Sequence, residues 1–141
     1  MPTMHKDCSI HYELTQTLFE DSETQIFDYT GKLLTIDQKH HLHYSFTQDG
    51  ITTDVLMEIT NQSISVRQTG GIISNVTYLP GQHTNMIYQT PTGEFSMNCT
   101  TNSYHLKSCE EYLNITLSYD LSAGNDILST NLLKIKIIFL N

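Results

Sequence analysis

The chain has 141 residues, a formal net charge of −8, and hydrophobic residues at 38%. Its length allows a core without staples, because a domain of this size buries roughly 70% of the surface its unfolded chain exposes. The excess of acid excludes a phosphate backbone or an anionic membrane surface as the natural partner.

Turn signals punctuate the chain at short intervals. Between them run segments in which apolar and polar residues alternate, the period of half-buried strands. The first strand is expected from Ser9 to Phe19, with Ile10, Tyr12, Leu14 and Leu18 on one face, and Glu20-Asp21-Ser22 turns it. The second runs from Thr24 to Ile36 and is interrupted by Gly31, where a bulge or a sharp bend is expected. The third, His41 to Gln48, sets Leu42, Tyr44 and Phe46 together, and Asp49-Gly50 supplies a hairpin turn. The fourth, Thr52 to Ile59, does the same with Val55, Met57 and Ile59. The fifth carries Ile64 and Val66 and ends at Thr69-Gly70-Gly71, and the sixth spans Ile72 to Tyr78. After Pro80-Gly81 the seventh holds Met86 and Tyr88. Phe95, Met97 and Cys99 form the inward set of the eighth. Thr101-Asn102 is read as a turn into a short ninth strand around Tyr104 and Leu106. Leu113, Ile115, Leu117, Tyr119 and Leu121 alternate with Asn114, Thr116, Ser118 and Asp120, and the last strand carries Leu133, Ile135, Ile137 and Phe139.

No window of helical length keeps a 3.6-residue period. About ten antiparallel strands in meander order tend to close, because closure removes exposed edges. The expected fold is all-β: a closed or nearly closed antiparallel barrel forming one domain over residues 1–141, with residues 1–8 loose.

The stretches Tyr29-Thr30-Gly31, Leu42-His43-Tyr44-Ser45-Phe46 and Ser65-Val66-Arg67-Gln68-Thr69-Gly70 occur in that order. Gly93-Glu94-Phe95, Cys99-Thr100-Thr101 and Leu117-Ser118-Tyr119-Asp120-Leu121 follow them. In this order and spacing, from about Ile10 to Phe139, the chain resembles the YwiB-like family of small bacterial proteins. The resemblance implies a calycin-like, lipocalin-shaped barrel, a cytoplasmic location and mostly Gram-positive hosts, and it brings no established activity and no catalytic residues. The chain holds no Trp, so the Gly-x-Trp signature of ligand-carrying lipocalins is absent.

Candidate sites follow from residue chemistry. His41 and His43 share a strand face and need a third ligand, Glu58 or Asp54, to hold a metal. The opposite face of that strand is apolar, so both read as surface histidines and no metal site is expected. His83 and His105 lie near strand ends where a haem ligand would sit, but nothing around them demands haem, and no cofactor is expected. Arg67 is the only arginine. By parity it lies opposite Ile64 and Val66, yet at a barrel mouth its planar fork would suit an acidic head group. Cys99 shares the Phe95 and Met97 face and reads as core. Cys109 precedes Glu110-Glu111, whose charges raise a thiol pKa. No nucleophile elbow, P-loop or zinc-protease motif is present, which places an enzyme behind the non-enzymatic readings.

The leading expectation is a cytoplasmic module that binds a small, partly apolar or amphipathic ligand inside the barrel. Tyr44, Met57, Met97 and Tyr119 would line the site, with Arg67 as anchor. The alternative is an acidic interaction or structural module, either docking a basic partner or forming a homodimer. Cytoplasm is expected from an odd cysteine count and an N-terminal segment without the apolar run of a leader.

Overall fold

The computed structural model describes residues 5–140. Its elements are β1 (Lys6–Leu18), β2 (Asp21–Ile36), β3 (Lys39–Gln48), β4 (Ile51–Ile59), β5 (Ile64–Gly70), β6 (Ser74–Tyr78), β7 (His83–Thr90), β8 (Gly93–Ser108), β9 (Tyr112–Ala123) and β10 (Asp126–Leu140). They form one ten-stranded sheet in the order β6-β5-β4-β3-β2-β1-β10-β9-β8-β7. Every ladder is antiparallel, and the first and last strands pair with each other, Ile10 opposite Ile137 and Leu14 opposite Leu133. Among the described residues no helix is long and apolar enough to cross a membrane.

The sheet curls into a nearly closed barrel whose seam falls between β6 and β7. A single bridge crosses it, Ile73 and Gln89 exchanging two backbone hydrogen bonds of 2.9 Å. The Thr84 hydroxyl adds a 3.2 Å bond to the Thr77 carbonyl. The strand period of two sends alternate side chains to the interior. Along β9, Leu113, Ile115, Leu117 and Tyr119 are buried while their neighbours are partly exposed. The hairpin turns follow sequence chemistry: Asp49 and Gly50 both sit at positive φ, the pairing a two-residue hairpin prefers.

Three expectations change. The expected turn at Thr101-Asn102 is instead a β-bulge within one long β8. Thr101 pairs with Tyr119 and Ser103 with Ser118, leaving Asn102 as the extra residue. The inward set switches there from odd positions (Met97, Cys99, Thr101) to even ones (Tyr104, Leu106), while Phe95, expected inward, is 53% exposed near the hairpin tip. Such a parity switch is the mark of a turn or a bulge, and sequence alone does not separate them. At Gly31 there is no bulge: its partner Cys8 stays in an unbroken register. The β2–β3 ladder ends beside it, at Lys32 opposite His43, so β2 parts from β3 at this point. A Cβ on Gly31 would lie 2.5 Å from the His43 carbonyl oxygen; only glycine lets the two backbones come so close. Of the N-terminal residues expected to be loose, 1–4 lie outside the described residues. Lys6 to Cys8 belong to β1, with Cys8 fully buried opposite Phe139.

Candidate functional site

The meander sends the five hairpins β1–β2, β3–β4, β5–β6, β7–β8 and β9–β10 to one end of the barrel. The remaining connections lie at the other end. That second end is closed by aliphatic side chains with no exposure: Ile10, Leu42, Ile59, Ile64, Leu113 and Ile137. The Tyr104 hydroxyl donates a 2.6 Å hydrogen bond to the Thr60 carbonyl and ties β8 to the β4–β5 turn.

The hairpin end is different. A cavity of about 670 Å³ opens there, running from Thr47, Gln48 and Ile72 near the tips down to Tyr78, Val76 and Leu133. Its walls are aromatic. Phe27 stacks on Tyr29 at 6.1 Å with planes 10° apart, and Tyr29 stacks on Tyr44 at 4.8 Å. Tyr12 meets the edge of Phe27 at 6.1 Å, and Tyr78 packs on Tyr119 at 4.8 Å. Burial raises the phenol pKa of Tyr12, Tyr44, Tyr78, Tyr88 and Tyr119, and neighbouring phenols push the same way at four of them. At Tyr88 the second contribution comes from Cys99. These hydroxyls therefore stay protonated at neutral pH, each able to give and to accept a hydrogen bond.

Two amide oxygens of the interior are shut away from solvent without a partner, Gln68 Oε1 and Asn131 Oδ1. Gln68 stands in the cavity wall. Asn131 Nδ2 donates to Ser129 Oγ at 3.0 Å on the inner face of β10. A buried acceptor without a donor costs free energy, and such groups are uncommon in folded proteins.

Of the five residues proposed from the sequence, Tyr44, Met57 and Tyr119 line this cavity. Met97 points inward opposite Met86 and packs against the core rather than bordering the cavity. Arg67 is not in the interior. Val66 and Gln68 on either side of it face inward, so Arg67 is exposed on the outer surface beside Leu56 and Asn75. There it borders shallow outer depressions, not the barrel interior. Phe27, Tyr29, Tyr78 and Gln68 were missed as site residues, although parity could have found them. Tyr29 is two residues from Gly31 and four from buried Leu33, and Tyr78 continues Ser74 and Val76.

The remaining candidates lie elsewhere. His41 and His43 are on the outer face, where His43 Nε2 is 3.7 Å from Asp54 Oδ1 and Lys39 Nζ is 3.4 Å from Glu58 Oε1. Among the described residues, no three His, Cys, Asp or Glu side chains gather as a metal site would require. His83 is exposed and bonds Thr100 Oγ1 at 2.8 Å, and His105 is exposed opposite Thr116. The cysteines are free. Burial pushes the Cys8 thiol up, and burial together with Asp120 pushes Cys99 up to about 11, so neither is a thiolate at neutral pH.

The sequence pattern of a domain of unknown function, DUF1934, matches residues 9–135. The chain belongs to the DUF1934 family. Its fold is similar to the crystal structure of YwiB protein from Bacillus subtilis, with a TM-score of 0.87 at 18% identity over 99% of this chain and 96% of that one. The likeness shows a common fold. A second solved chain is Ail, the attachment invasion locus protein of Yersinia pestis, in complex with the heparin analogue sucrose octasulfate. It aligns over 99% of both chains with a TM-score of 0.35 and 8% identity, too weak to carry an argument. No curated protein matches.

Proposed function

We propose that the protein is a non-enzymatic binding module that holds a small, partly apolar ligand in the open half of its barrel, as lipocalin-like containers do. The cavity of about 670 Å³ carries this reading. Ligand pockets fall at about 300–1,000 Å³ and combine an apolar and aromatic lining with a few fixed polar groups. Here the polar groups are tyrosine hydroxyls, the amides of Gln25, Gln48 and Gln68, and the Thr47 hydroxyl. Met57, Val66 and Val76 offer apolar contact, and the phenols around them would orient a polar end. Three free thiols, one of them exposed, support work in the reducing cytoplasm.

Native mass spectrometry of the protein purified gently from its own host tests this. A stoichiometric added mass that leaves on denaturation is expected. A clean apo mass from freshly lysed cells, together with no uptake of apolar probes, would contradict the proposal.

A second reading, an interaction module, is favoured by one observation. Leu18, Phe19, Phe95, Ile127 and Leu128 are exposed at the hairpin end, Phe19 to 97%. Exposed apolar patches of more than a few hundred Å² often mark interfaces. A doubled mass, abolished by Phe19→Ser, would make this end a homodimer contact.

A further inference from the structure

Resting on the container reading above, we propose that the cavity takes its ligand uncharged. The ligand class is an alcohol or ketone on an apolar body, its oxygen lodged among the hydroxyls of Tyr12, Tyr78, Tyr88 and Tyr119, with carboxylates and ammonium ions both excluded. Three observations carry this. First, among the described residues that line the cavity there is no Asp, Glu, His, Lys or Arg. An ion of either sign would be buried there without a counter-charge, and that is costly. The one arginine, Arg67, stands on the outer face.

Second, the cavity draws its polar groups mainly from one residue type: six of the eight tyrosines line it. Tyr12 on β1, Tyr78 on β6, Tyr88 on β7 and Tyr119 on β9 converge from four strands. Tyr78 packs on Tyr119 at 4.8 Å, and Tyr12 and Tyr88 both stand near enough to raise its phenol pKa. Protonated phenols donate and accept, which matches a hydroxyl or a carbonyl. The desolvation that keeps these phenols protonated acts equally against any other anion placed among them, and against a cation.

Third, several of these hydroxyls have no partner within the protein. Tyr104, outside the cavity, donates to the Thr60 carbonyl at 2.6 Å. At Tyr12, Tyr29, Tyr44 and Tyr88 burial raises the phenol pKa, and no hydrogen bond to another described residue acts against it. Buried polar groups are ordinarily paired, so these hydroxyls are free for the oxygen of a ligand. A ligand that kept its polar group at the mouth would leave them unmatched.

The test is calorimetric titration with naphthylmethanol, methylnaphthalene, naphthoate and naphthylmethylamine, all substituted at the same ring position. At neutral pH naphthylmethanol is expected to bind about tenfold more tightly than either ion, since burying an unpaired ion costs at least that much. The acid and the amine should bind only as neutral molecules. Between pH 6 and pH 8 naphthoate should therefore weaken and the amine strengthen, each by about tenfold per pH unit, with the alcohol unchanged. Naphthoate should take up a proton on binding and the amine should release one. The double variant Tyr12→Phe, Tyr88→Phe should weaken naphthylmethanol about tenfold and leave methylnaphthalene unchanged, which also shows that it is folded. Either ion binding as tightly as the alcohol, or without proton exchange, overturns the exclusion of charge, and the wild type alone decides this. Naphthylmethanol binding equally to wild type and variant overturns the phenol contact. Both of these results leave the container reading standing. If none of the four binds, that reading falls with the proposal.

Discussion

The two ends of this barrel are built on the same ten strands and differ in what fills them. At the closed end, branched aliphatic side chains from β1, β3, β4, β5, β9 and β10 interdigitate until Ile10, Leu42, Ile59, Ile64, Leu113 and Ile137 have no exposure. At the hairpin end, planar rings stack in a column along β2 and β3 and leave a space of about 670 Å³ beside them. Branched chains mesh at the density of a crystal. Flat rings stacked face to face stay in their own layer and carry hydroxyls that need partners. A barrel of this strand number is therefore a plug or a container according to side-chain shape, not backbone geometry.

The sharpest way to break that division is a matched pair of truncations. Leu113→Ala at the closed end should cost about 3 kcal/mol, as buried leucine truncations do. Phe46→Ala, whose ring is only partly buried and borders the cavity, should cost well under half of that. Urea unfolding measures both, and equal losses would mean that the ends are packed alike. The junction between the ends is next. Gly31→Ala should cost about 1–3 kcal/mol by overpacking, because the new Cβ meets the His43 backbone oxygen, which cannot swing away.

Alkaline titration probes the tyrosine-rich interior. Burial raises the folded-state pKa of Tyr44, Tyr78 and Tyr119 above 10.0, their unfolded value. Tyr104 is pushed up to about 12. A raised pKa contributes stability that is complete below the unfolded value and is lost as pH rises through the folded one. The fold should therefore weaken above about pH 10, with the phenolate absorbance of these tyrosines appearing together with loss of structure. Phenolate appearing with the circular dichroism unchanged would show that their hydroxyls are already wet. The smallest effect belongs to the outer surface. Lys39→Ala removes the 3.4 Å pair with Glu58, both side chains being about half exposed. It should change stability by less than about 0.5 kcal/mol.

Much of the fold was legible because period-two alternation survives in nearly every strand. The Leu113-to-Leu121 and Leu133-to-Phe139 patterns are inward in the structure as their parity requires. What was not legible depends on long-range geometry. The parity switch after Thr101 reads equally as a turn or a bulge, and only the partner strand β9 decides between them. Lys6 to Cys8 looked like a loose terminus because what orders them is pairing with β10, the far end of the chain. The site was legible in part. Tyr44, Met57 and Tyr119 sit on clean alternating strands, and Arg67 was already outward by parity. Tyr29 and Phe27 share the parity of buried Leu33 through an unbroken β1–β2 register, so alternation alone could have placed them inward. Sequence gives side-chain size at each inward position but not the distance across the barrel, so a cavity cannot be told from a packed core.

The most direct test of the central claim is a fluorescence titration with an uncharged naphthylamine dye, on the wild type and on Val66→Phe. Val66 lines the cavity, and a phenylalanine there would fill part of it without touching the closed end. The account predicts saturable one-to-one binding by the wild type, and its loss in a variant of near wild-type stability. No saturable binding by the wild type, or equal binding by both proteins, would contradict it.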